Sequence, residues 1–166
     1  KPSKGLTPTA EILTSTFNEI ESRSLGTSVA GIPVNFYDLD AMTQGLQRSD
    51  LIIVAGRPAM GKTSIVTNIS FDIAKRYRTE VDESGTASIA DGGVVGIFSL
   101  EMSAEQLITR VLSEASGVPS DLLRRGNINQ KDFESIVRAS QELSRVPLYI
   151  DDTPAISIQA LRTRAR

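Results

Sequence analysis

The sequence predicts an α/β fold: a mostly parallel sheet with helices on both faces, preceded by a separate N-terminal helix. Three observations carry this expectation. Continuous apolar runs recur at 51–55, 94–98 and 147–150, as in strands covered on both faces. Between them lie stretches with an apolar residue every three or four positions, the signature of amphipathic helices. The resulting order of strand, helix, strand, helices, strand, helix requires crossovers, which favour parallel pairing.

The elements follow in chain order. Residues 1–6 are polar. Thr7-Pro8 reads as an N-cap with proline in the first helical position. Ile12, Leu13, Phe17 and Ile20 then form one apolar stripe on a helix ending near Arg23. The small polar run 24–30 reads as a linker, so residues 1–30 stand apart from 31–166. A short structured lead-in with a helical turn at 39–43 precedes the first strand, 51–55. Gly56 to Gly61 interrupts the pattern, and Ile65, Val66, Ile69 and Ile73 mark a helix to about Tyr77. Residues 78–93 are acidic and Gly-rich and read as a surface insertion, an exposed loop or a weak hairpin. The second strand is 94–98. Ser103 and Gln106 make a capping box for a helix carrying Leu107, Ile108, Val111 and Leu112. A short helix from Ser120 ends at Gly126. Asn129 caps the next, with Phe133, Ile136, Val137 and Leu143 on one face. The third strand is 147–150, and a last helix starts near Ser157.

Composition narrows the chemistry. The 166 residues suit one domain with a real core. There is no cysteine and no histidine. That excludes disulfides, thiol chemistry, a Ser-His-Asp triad and metal sites built from Cys or His. Eighteen Lys and Arg against 20 Asp and Glu give a net charge of -2, so net charge does not indicate nucleic-acid binding. No apolar run nears the roughly 20 residues of a membrane helix. No signal-type leader opens the chain, so a cytoplasmic protein without membrane partners is expected. The chain opens on Lys1 and stops inside a basic helical turn, so it reads as part of a longer protein.

The chemistry-bearing motif is Gly56-Arg57-Pro58-Ala59-Met60-Gly61-Lys62-Thr63, followed by Ser64. It fits G-x-x-x-x-G-K-[ST], between an apolar strand and a helix. Backbone N–H groups of such a loop, with the helix N-terminus, can wrap a polyphosphate. Gly61 keeps a side chain out of the way. Lys62 can reach the β- and γ-phosphates of ATP, and the Thr63 hydroxyl can ligate Mg²⁺. A second candidate is Glu101, in Phe98-Ser-Leu-Glu-Met-Ser103. It falls between the carboxyl end of a strand and a helix, the edge where open α/β sheets bind ligands. A carboxylate there can orient or deprotonate a water attacking a γ-phosphate.

Together, Gly31-Ile-Pro-Val-Asn-Phe-Tyr-Asp-Leu-Asp40, the Gly56–Thr63 loop, the run around Glu101, Ile150-Asp-Asp-Thr-Pro154 and the basic stretch 157–166 resemble the ATPase domain of bacterial replicative DNA helicases, the DnaB family. The resemblance implies a three-layer RecA-like P-loop NTPase domain, truncated at its C-terminus. It implies a motor hydrolysing ATP with Mg²⁺ at subunit interfaces, self-associating into a hexameric ring, and unwinding DNA at the replication fork. Lys62 and Glu101 would be catalytic, and the loop from Gly56 to Ser64 would bind nucleotide. The first helix would be the linker helix that docks on a neighbouring subunit. Primase and a helicase loader would be partners.

Leu148-Tyr-Ile-Asp151-Asp152 resembles a Walker B strand. In the family, however, the metal-side Asp lies on a later strand, past the Arg-Thr-Arg-Ala-Arg helix. Asp151 and Asp152 are therefore expected to be structural or to act from behind the site. The Walker B Asp, the DNA-binding loops and the arginine finger would lie beyond Arg166. These 166 residues alone are expected not to turn over. Arg162, Arg164 and Arg166 do not share one helix face and are expected to be solvated. The alternatives are a RecA-like recombinase, a signalling ATPase, or a binding and assembly module without turnover.

Overall fold

The computed structural model describes residues 5–26, 31–59 and 61–166. They divide into two compact units, Lys1–Asp50 and Leu51–Arg166.

In the first unit, α1 spans Thr9–Ser24. Its N-cap is Pro8, not Thr7. The Pro8 carbonyl accepts from the Glu11 and Ile12 N–H groups, while the Thr7 hydroxyl turns back to the Gly5 carbonyl. Glu19 and Arg23 pair one turn apart. No residue of α1 is buried, and Ile12, Leu13, Phe17 and Ile20 are all at least half exposed. The linker expected at 24–30 falls mostly outside the described residues. Helix α2, Tyr37–Thr43, starts two residues earlier than the periodicity suggests. The Asp40 carboxylate explains the extension, because it accepts from the Val34 and Asn35 N–H groups at 2.9 Å each. That closes the turn leading into the helix. Val34 is buried, and Ile32 bridges Leu46.

In the second unit, α3 is Lys62–Lys75. Residues 78–93 form a hairpin of β1 (Arg78–Val81) and β2 (Ala87–Asp91). Its turn is organised by Asp82, whose carboxylate accepts from the Ser84 hydroxyl and from the Ser84 and Thr86 N–H groups. Those bonds hold the Asp82 carboxyl below its ordinary range, the Ser84 hydroxyl contributing most. The hairpin base is tied to α3 through Arg76, which donates to Asp72 and Asp91 at 3.0 Å each. Gly92 lies against that base with φ +58.

Strand β3 (Val95–Phe98) runs parallel to β4 (Leu148–Asp151). Between them come α4 (Ala104–Ser116), α5 (Ser120–Arg125) and α6 (Gln130–Leu143). The Ser103–Gln106 capping box and the Asn129 cap both form. Helix α7, Ile158–Arg164, is capped by Ser157. Helix α4 packs on α3, α5 and α6, and α3 packs on both strands of the parallel pair. Leu107, Val111, Val118, Ala139, Ile73 and Ala74 are the buried centre.

The strand expected at 51–55 is not formed. Residues 51–57 carry no regular structure, and Leu51 and Ile53 are 89% and 79% exposed. An apolar run states what could be buried. A strand also needs a neighbouring backbone to complete its hydrogen bonds. Among the described residues, the paired strands are β1 with β2 and β3 with β4, and none reaches this segment.

Candidate nucleotide site

Helix α3 begins at the end of the glycine-bounded loop. Gly61 is its N-cap at φ 79, a left-handed conformation that glycine adopts without penalty. A Cβ at Gly61 would point into open space, so the dihedral, not crowding, calls for glycine here. Ala59 also sits at positive φ, 64°, a conformation that strains a residue with a side chain. Met60 is outside the described residues. Unlike α4, α6 and α7, α3 has no side-chain cap. Its first-turn N–H groups are thus available to an anion, and no acidic side chain occupies that turn.

Lys62 and Thr63 open α3 and line a cavity of about 290 Å³ together with Ser99, Leu100, Glu101 and Met102 from the loop after β3. The structure therefore brings together Lys62, Thr63 and Glu101, although Glu101 lies nearly 40 positions beyond the other two in sequence. Val54 lines the same cavity. Ser64 does not. It faces a neighbouring groove of about 520 Å³, where its hydroxyl accepts from the Arg110 guanidinium at 3.1 Å. Gly56, Arg57, Pro58 and Ala59 are exposed on the loop.

The Glu101 loop is held by bonds of four kinds. Ser99 N–H extends the ladder to the Asp151 carbonyl at 2.9 Å. Met102 N–H donates to the Ser99 hydroxyl at 3.1 Å. Ser103 and Gln106 bond reciprocally. Finally, the Asp152 carboxylate accepts from Ala104 N–H at 2.8 Å. Asp151 points elsewhere: Arg164 donates to it at 2.6 Å and to the Thr153 hydroxyl at 2.7 Å. Hydrogen bonds from Thr153 first, then Arg164, lower the Asp151 pKa to about 2. Arg164 is therefore not simply solvated, as its spacing suggests. The Asp151–Arg164 and Asp152–Ala104 contacts span 13 and 48 residues. No periodicity announces them. The adjacent aspartates at the end of β4 are the signal that the sequence offers.

A parallel α/β sheet whose carboxyl edge faces a glycine-bounded loop and a helix N-terminus is the plan of a RecA-like ATPase domain. The solved structures agree. One, an isolated ATPase domain, superposes with a TM-score of 0.79 at 25% identity, covering 98% of this chain and 52% of that one. A DnaB-like replicative helicase, solved in a study of its interactions with primase, shares the fold at TM-score 0.72 and 24% identity, covering all of this chain and 36% of that one. The family described as DnaB-like helicase C terminal domain matches residues 31–166, and the chain belongs to it. The replicative DNA helicase DnaB of Nostoc sp. is 45% identical over all 166 residues, which cover 17% of that protein. The DnaB of Synechocystis sp. is 43% identical over the same span, again 17% of its length. The replicative DNA helicase DnaC of Bacillus subtilis is 40% identical over 157 residues, 94% of this chain and 32% of that protein. The chain thus spans about a third or less of these curated relatives.

Proposed function

We propose that this chain is the nucleotide-binding part of a replicative DNA helicase that couples ATP hydrolysis to unwinding of duplex DNA. The observation that carries the proposal is the shared cavity of Lys62, Thr63 and Glu101 beside the uncapped N-terminus of α3. The α3 N–H groups and Lys62 bind the phosphates, and Thr63 presents its hydroxyl to the metal. Among the described residues no cluster of three or more acidic side chains could hold a metal ion. The Thr63 hydroxyl in the cavity suits Mg²⁺, which binds through phosphates and few protein ligands. When bound, Mg²⁺ neutralises charge on the β- and γ-phosphates. Glu101 orients the attacking water and accepts its proton.

Family membership favours the helicase over a recombinase or a signalling ATPase. The DNA contacts, the ring and any contact with primase or a loader are proposed for the full-length protein. The exposed stripe of α1 is the surface that docks on a second copy. No described helix is long and apolar enough to cross a membrane. The decisive experiment is Glu101→Gln in the full-length protein. ATP affinity should persist while turnover falls about 10²–10⁴-fold, the usual effect of losing a general base. Near-normal hydrolysis would remove Glu101 from the site.

A further inference from the structure

We propose that Asp152 is a positioning residue for Glu101, holding the catalytic loop through the first N–H of α4. The inference rests on the role of Glu101 given above.

Glu101 lies in the segment 99–103, between the end of β3 and the start of α4. Two consecutive residues at the end of the neighbouring strand hold its two ends. At the near end, Ser99 N–H donates to the Asp151 carbonyl at 2.9 Å. At the far end, Ala104 N–H donates to the Asp152 carboxylate at 2.8 Å. Glu101 itself is exposed and makes no ion pair among the described residues. Its place in the cavity is therefore set by the backbone that carries it.

The chemistry suits this task. Ala104 is the first residue of α4, so its N–H has no partner within the helix. Ser103 satisfies the Gln106 N–H, which leaves the Ala104 N–H to an outside acceptor. An anion at a helix N-terminus gains from both the hydrogen bond and the helix dipole. The turn that carries Asp152 is tied in its own right: Thr153 N–H donates to the Asp151 carboxylate at 3.0 Å, and Arg164 of α7 donates to that carboxylate and to the Thr153 hydroxyl. A rigid strand end thus reaches across 48 residues to set the loop. An ordinary cap would lower only stability when lost. Loss of a positioning residue slows the chemical step, since misplacement of a catalytic group by about 1 Å can cut the rate about 10²-fold.

The test uses the full-length protein and steady-state and single-turnover ATP hydrolysis. Asp152→Ala should lower kcat about 10–100-fold with KM for ATP within about twofold. Asp152→Asn keeps an acceptor oxygen and should restore most of kcat. Ala104→Pro breaks the same bond from the other side. Proline is well tolerated at the first position of a helix, so this variant should fold and show the same kcat loss with Asp152 present. In a Glu101→Gln background, Asp152→Ala should add almost nothing, because both changes act through one carboxylate. Normal kcat in Asp152→Ala and Ala104→Pro, or losses that multiply in the double variant, would overturn the proposal. If Glu101→Gln itself keeps wild-type turnover, the catalytic reading of Glu101 fails instead, whatever Asp152 does. If Asp152→Ala does not fold, Ala104→Pro and Asp152→Asn decide the matter: a kcat loss in the first with near-normal kcat in the second supports the proposal, and any other pairing overturns it.

Discussion

Replacing Lys62 by alanine should stabilise the empty fold and weaken nucleotide binding, two effects of opposite sign. Lys62 is the first residue of α3, where a cation opposes the positive end of the helix dipole. It makes no ion pair among the described residues, so its removal breaks no compensating contact. Relieving that repulsion is worth about 0.3–1 kcal/mol, and alanine is at least as good a helix former. For a unit of this size the gain corresponds to a rise of roughly 1–4 °C in Tm. Binding moves the other way. A hydrogen bond to a charged partner contributes about 1.5–3 kcal/mol, so losing the ammonium–phosphate contact should raise the Kd for ATP about 10–150-fold. Thermal melting of the 166-residue chain followed by circular dichroism reads the first effect. Calorimetric titration of the full-length protein with ATP and Mg²⁺ reads the second. A Tm lowered by several degrees would show that Lys62 supports the fold. A Kd within about threefold of the parent would refute the phosphate-binding role.

Phe17→Asp should leave nucleotide affinity intact and shift the full-length protein toward monomer in sedimentation velocity. Unchanged assembly together with a lower Tm would place the α1 stripe in its own core instead. Asp151 titrates at about 2 in the fold, below the ordinary carboxylate value of about 3.9. Its ionised form is therefore favoured by folding, and its stabilisation is complete above about pH 4 and lost as pH falls through 2. Asp151→Asn should accordingly flatten the fall of Tm between pH 4 and 2; parallel curves for the two proteins would contradict the assignment. Gly92→Ala should destabilise the second unit by about 2 kcal/mol or more in chemical denaturation. A Cβ there would lie 2.3 Å from the Ile73 carbonyl oxygen and 2.6 Å from the Tyr77 nitrogen, at φ +58. Both obstacles are backbone atoms, so no rotamer change relieves them, and an unchanged midpoint would mean that the hairpin base is free to shift.

Features encoded by local chemistry are legible from residue order alone. Ser103 with Gln106 and Asn129 announce their helices because a cap and its target N–H lie three residues apart. The stripe of α1 and the Gly56–Thr63 motif are equally legible, each being a pattern confined to a few turns of chain. Whatever depends on a distant partner waits for the packed molecule. Residues 51–55 have the composition of a buried strand, yet pairing determines whether a strand exists, and no described backbone pairs with them. The convergence of Lys62, Thr63 and Glu101 on one cavity follows from α3 packing against the parallel strands, a fact that neither motif contains. Asp151 and Asp152 are alike in sequence, but one turns to Arg164 and the other to Ala104. Successive side chains leaving a strand project to opposite sides, and only the packed neighbours fix what each side offers.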